Sequence, residues 1–188
     1  MSKKIVKKEN RKATWEEVRD TYKSTVSVYL TASAYLKNFY NKYKKIIDKN
    51  PATKKVIDGA ANTLIGYRKM LDGLALGHIE KATEEDVKNN VETFKGPNGE
   101  LFKFKSGPID EDNDKDIEVV IKTLISYGNI TNNIYTLLRN TISVLLKDLE
   151  NIINNIEDEK EREEFIKMLE ADKEEMKERD NNGRNEKK

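Results

Sequence analysis

A chain of 188 residues with 37% charged and 36% apolar residues, a net charge of +1 and no cysteine has the size of one domain with a single core. It excludes disulfide staples, thiolate metal sites and cysteine nucleophiles. The best candidate for a membrane span, Val56 to Ile79, carries Asp58, Arg68, Lys69 and Asp72, too many charges for a helix in lipid.

The N-terminus, MSKKIVKKENRKA, has the charged start of a signal peptide but no apolar stretch behind it. Residues 1 to 13 therefore read as a basic flexible arm on a protein that is not secreted, with a cytoplasmic or intravirion location expected. The first helix should begin at Thr14, where Thr14 and Glu17 form the S/T-x-x-E capping box. From there Trp15, Val18, Tyr22, Val26, Tyr29, Ser33, Leu36, Tyr40, Tyr43 and Ile47 recur at alternating steps of three and four. That spacing predicts a helix roughly 54 Å long, packed along a partner helix in coiled-coil fashion.

Asn50-Pro51 ends this helix and starts the next, since proline fits only the first turn and Asn50 can cap it. A tight turn here makes the two helices an antiparallel hairpin. The second helix carries the stripe Ile57, Ala60, Leu64, Tyr67, Leu71, Leu74 and His78, to about Lys81. Beside it Gly59, Gly66 and Gly73 stand seven apart. Glycine costs about 1 kcal/mol in a helix interior, so this column predicts close approach of another backbone.

Thr83 to Lys88 suggests a short helix or turn. Beyond it Phe94, Phe102 and Phe104 alternate with Lys95, Lys103 and Lys105 around Gly96-Pro97-Asn98-Gly99, the pattern of a β-hairpin over residues 91–106. Two strands alone are marginal in water, so its phenylalanine face must rest on helices or on a partner chain. After Gly107-Pro108 an acidic run, Asp110 to Asp116, leads into a third helix whose three-four register continues from Ile117 to Ile156 across Gly128. This predicts one long helix. Residues 157–180 form a charged helix with few apolar anchors, and 181–188 a disordered tail.

The chemistry-bearing residues are few. The one histidine, His78, lies on an apolar stripe with no nucleophile or orienting partner in sight, so it reads as a core residue. Asp110, Asp112 and Asp114 have the alternate spacing of calcium ligands in an EF-hand. Lys115 stands where that loop needs glycine, and Ile121 where it needs glutamate. No metal, no cofactor and no enzymatic activity are therefore expected.

Charge is sorted along the chain: fifteen Lys or Arg face five acidic residues over 1–55, and from Glu157 to Asp180 twelve acidic face six basic. The basic end offers Lys3, Lys4, Lys7, Lys8, Arg11 and Lys12 for phosphate contact, and the hairpin offers Phe102, Lys103, Phe104 and Lys105 for stacking and neutralising single strands. Against this stands the tyrosine-rich stripe of the first helix, Tyr22, Tyr29, Leu36, Tyr40 and Tyr43, which has the composition of a subunit interface.

The expected architecture is mainly α, an elongated bundle of three long amphipathic helices with a β-hairpin insertion and a charged C-terminal helix. The expected function is that of a non-enzymatic structural or assembly protein, homo-oligomeric or joined to other assembly proteins. The Lys-, Asn- and Ile-rich composition suggests an AT-rich coding genome and hence a phage virion or scaffolding component. The alternative is an accessory protein that binds nucleic acid non-specifically through its basic N-terminal third and the hairpin.

Overall fold

The computed structural model describes residues 13–110 and 112–185, with side chains described to Glu178. The chain is mainly helical with one small antiparallel sheet. Its elements in order are α1 (Trp15–Ile47), α2 (Pro51–Ala75), a 3-10 turn (Leu76–His78), β1 (Ile79–Lys81), α3 (Glu84–Lys88), β2 (Thr93–Lys95), β3 (Leu101–Phe104), α4 (Asp114–Ile153) and α5 (Glu159–Asn185). They divide into two compact units, residues 1–30 with 66–132, and residues 31–65 with 133–188.

In the first unit α1 starts as its sequence dictates. The Thr14 amide donates to the Glu17 carboxylate at 3.0 Å and the Glu17 amide to the Thr14 hydroxyl at 3.4 Å, the reciprocal capping box. The helix end is pinned further by the segment after β3, where the Trp15 amide donates to the Gly107 carbonyl at 3.0 Å and the Gly107 amide to Glu16 at 2.9 Å. Gly107 has φ +86°, a conformation that favours glycine. Trp15 and Val18 of α1, Leu71 and Ala75 of α2, and Val120, Tyr127 and Ile130 of α4 form the core of this unit.

Helix α2 stops at Ala75 rather than near Lys81. Gly77 then lies against α4, where a Cβ would meet Val119 Cγ1 at 2.9 Å, and the chain leaves the 3-10 turn as strand β1. The hairpin of β2 and β3 is therefore not alone. Strand β1 pairs with the free side of β3, giving the order β1-β3-β2, with Ile79 opposite Phe104 and Phe94 opposite Phe102. A third strand relieves the marginal stability of an isolated hairpin, and Phe104 packs on Tyr22 of α1 with ring centroids 5.8 Å apart. Helix α3 is held by a second capping box between Thr83 and Asp86.

The second unit contains the α1–α2 turn, which behaves as predicted. Asn50 caps α2, its side-chain oxygen accepting the Thr53 amide at 3.2 Å, and Pro51 takes the first helical position. Leu36, Phe39, Tyr43 and Ile47 of α1 are buried here, as are Ile57 and Leu64 of α2 and Ile134, Leu145, Leu149 and Ile153 of α4. Helix α5, capped by Asp158 on the Glu161 amide at 2.8 Å, adds only Phe165, Leu169 and Asp172 to the buried set among the described residues. It continues to Asn185, past the Asp180 expected as its end. The charged residues up to Asp180 are mostly good helix formers, and no proline follows to stop the helix.

Helix α4 runs unbroken through Gly128, as the continuous register implies. The glycine column of α2 is a correction. Gly59, Gly66 and Gly73 are exposed, and a Cβ built on any of them meets nothing within 4 Å among the described residues, whose backbone does not approach there. A column of small residues beside an apolar stripe does not say which side of the helix the neighbours occupy. Gly66→Ala should therefore stabilise the protein by about 0.5–1 kcal/mol through better helix propensity. Gly77→Ala should destabilise it, because Val119 must move. Urea denaturation of the two variants reads both signs, and a loss of stability in Gly66→Ala would show an unseen contact at that face.

Candidate functional site

The stripe proposed as an interaction surface is used within the chain. Leu36 and Tyr43 are buried at 4% and 0% exposure. The Tyr43 hydroxyl donates to Asp172 of α5 at 2.7 Å, and Lys42 donates to the other oxygen of the same carboxylate at 2.6 Å. Burial and this bond push the Tyr43 hydroxyl above its ordinary range. Backbone dihedrals at Tyr43 depart from helical values, φ −107° and ψ 15°, so α1 kinks where its side chain reaches α5. Tyr40 donates to Asp48 at 2.8 Å, Tyr29 lies half-buried with the Arg68 guanidinium 6.0 Å from its ring centre, and Tyr22 belongs to an aromatic cluster. Sequence periodicity shows that a stripe is covered, without saying by what.

That cluster surrounds His78. Its ring is 1% exposed, 5.5 Å from Phe104 and 5.8 Å from Tyr22, and Nε2 shares a 2.7 Å hydrogen bond with the Tyr127 hydroxyl. Nδ1 has no partner. Burial pushes the imidazole down to about 4, and the Lys105 cation acts in the same direction. The same burial pushes the Tyr127 hydroxyl up. His78 is thus neutral, closed to any substrate, and part of the core.

The nucleic-acid candidates separate into two sets. Lys3, Lys4, Lys7, Lys8, Arg11 and Lys12 lie outside the described residues. On the sheet, Lys103 is held between Asp86 at 2.7 Å and Glu80 at 3.3 Å, and its hydrogen bond, with those from Thr83, pulls the Asp86 carboxyl down to about 2. Lys105 pairs with Asp116 at 3.2 Å and stands 4.4 Å over the Trp15 ring. Phe104 faces the His78 cluster and Phe102 stacks on Phe94 at 6.2 Å. The Phe-Lys alternation serves the two faces of the sheet, and Lys103 and Lys105 already have carboxylate partners.

Asp110 accepts the Asp112 amide at 3.1 Å, and Asn113 accepts the Lys115 amide at 3.2 Å, so the acidic run shapes the entry to α4. Among the described residues no three metal-ligating side chains converge, and no helix is long and apolar enough to cross a membrane.

What sequence reasoning passed over is the outward face of α4. From Thr123 to Leu138 the helix carries no charged residue, where sixteen positions at the chain's 37% would hold about six. Within the first unit this stretch and the turn before it expose Ile121 at 53%, Leu124 at 37% and Ile125 at 60%. Beside them, against α1, is a cleft of about 450 Å³ lined by Asp20, Thr21, Ser24, Thr25, Gly128, Thr131 and Asn132. Single exposed aliphatics are ordinary, whereas adjacent ones with few charges nearby are less so. The signal was present in the sequence as a gap in the charge pattern.

No family model, no curated protein and no solved structure matches the chain. Its surfaces alone carry the functional reading.

His78 also makes a sharp pH prediction. Its folded value of about 4 lies below its ordinary 6.5, so its contribution to stability is complete above pH 6.5 and is lost as pH falls toward 4. A difference of this size is worth about 3 kcal/mol. The stability advantage of the wild type over His78→Gln, measured by urea denaturation, should therefore shrink from pH 7 to pH 4.5. A constant difference would show that the buried ring accepts a proton without penalty.

Proposed function

We propose that this chain is a non-enzymatic structural or scaffolding protein that self-associates through its long helices, with the exposed face of α4 in the first unit as the contact. The observation that carries this is the adjacency of Ile121, Leu124 and Ile125 on a helix that holds no charge from Thr123 to Leu138, bordered by the Lys122–Glu118 pair, in a chain more than a third charged. Water-exposed aliphatic surface is costly, about 25 cal/mol per Å², and a charge-depleted patch with a polar rim is the usual centre of a protein contact. The stripe of α1 does not serve, because Leu36 and Tyr43 are covered inside the chain.

The test is mass in solution against concentration. Light scattering of the wild type should show a rising average mass over about 1 to 100 µM, the range that corresponds to a modest contact. Ile125→Asp should weaken association at least about tenfold, roughly 1.4 kcal/mol, with far-UV circular dichroism unchanged because the position is exposed. A wild type that stays monomeric throughout would refute the reading.

A further inference from the structure

We infer that α5 is a strap that lifts from the second unit as a piece, and that Asp172 is the latch holding it to α1. Helix α5 has 27 residues, yet among those with described side chains only Phe165, Leu169 and Asp172 are buried. Steps of four and three put these on one narrow stripe, and the exposed remainder is almost all charged. Residues 154–158 separate α5 from α4, so α5 can leave without unwinding α4.

The fit of α5 on α1 is incomplete as well. A cleft of about 450 Å³ parts the two helices, with Lys42, Lys44 and Lys45 on one side and Glu161, Glu164 and Phe165 on the other. Close contact is made at the latch. Asp172 is the one buried acidic side chain among the described residues, and its two oxygens accept the Tyr43 hydroxyl at 2.7 Å and the Lys42 ammonium at 2.6 Å. Side chains of consecutive residues diverge by about 100° on a regular helix. Their convergence on one carboxylate coincides with the kink at Tyr43, where φ is −107° and ψ 15°.

A buried carboxylate is stable only while its partners are made, because leaving it short of one is costly. The latch therefore has two states. Closed, Asp172 is satisfied by two donors from α1; open, Asp172 and Lys42 return to water and the Tyr43 hydroxyl is uncovered. The second unit buries many more apolar side chains on α1, α2 and α4 than the two on α5, so lifting α5 takes less free energy than unfolding the unit. The strap thus controls access to the Lys42–Tyr43 surface of α1.

Hydrogen exchange of the intact chain, resolved along the sequence, tests this. An undocked helix protects its amides only weakly, so their exchange reads the opening. Amides of residues 163–178 should exchange at least about tenfold faster than those of 134–149 in the same unit. Tyr43→Phe keeps the ring and removes one donor to the carboxylate. It should speed exchange over 163–178 by a further factor of about ten, the worth of one hydrogen bond to a charged group, and leave 134–149 unchanged. Asp172→Asn, altered on α5 alone, should act in the same direction and serves if Tyr43→Phe disturbs α1. Lys173→Ala is the control, since the more exposed Lys173–Glu150 pair at 2.7 Å is worth less than about fivefold.

Equal exchange over 163–178 and 134–149 in the wild type, or equal acceleration of both by the variants, would mean that α5 opens only with the whole unit and would overturn the strap. Unprotected α5 amides in the wild type would show that it is never closed. Fast α5 exchange that neither Tyr43→Phe nor Asp172→Asn alters, or that Lys173→Ala alters as much, would overturn Asp172 as the latch.

Discussion

Each long helix of this protein has one apolar stripe to cover and an otherwise polar, largely charged surface to keep in water. That constraint shapes both units. In the first, Val18 of α1, Leu71 of α2 and Tyr127 of α4 go inside, and in the second Leu36, Leu64 and Leu145 do. Fully burying one such side chain is worth about 1.5–3 kcal/mol, against about 1–2 kcal/mol of backbone entropy for each residue ordered. Few polar groups follow them in, and most that do are paired. Tyr43 with Asp172 in one unit, and Thr131 with Thr25 at 3.3 Å in the other, are satisfied across helices. Directional bonds of this kind select one register among the several that a repeating stripe permits.

The sheet follows from the same constraint. Phe104 needs cover, which Tyr22 and His78 provide, and Lys103 and Lys105 take carboxylates from Glu80, Asp86 and Asp116. An alternation that looks like a stacking platform in one dimension is a two-faced structural element in three. Pairing leaves these cations less able to take up phosphate, since a new ion must displace a partner already at 2.7–3.3 Å.

The outer face of α4 in the first unit differs from that of α5. On α5 nearly every exposed position among the described residues is charged. On α4 the solvated side is instead aliphatic, small or amide-bearing from Leu124 to Asn132. Lysine and glutamate are common on helices and stable in water, so their absence needs a reason. Covering by another protein surface is the physical circumstance in which a neutral face is favourable and a charged one is not.

The sequence by itself determined the helices, their caps at Thr14 and Asn50, the continuity of α4 through Gly128 and the hairpin over Phe94 to Phe104. These depend on local spacing and short-range hydrogen bonds, which residue order encodes directly. Tertiary structure alone decided the partners. It added β1 to the sheet, gave Tyr43 a bond to Asp172 some 129 residues away, closed His78 against Tyr127, and left the glycine column of α2 facing water. Periodicity shows that a face is covered or open only through its composition, and glycine, tyrosine and lysine are at home in either setting. Which face meets which neighbour depends on contacts between residues distant in the chain, and those exist only once the helices are packed.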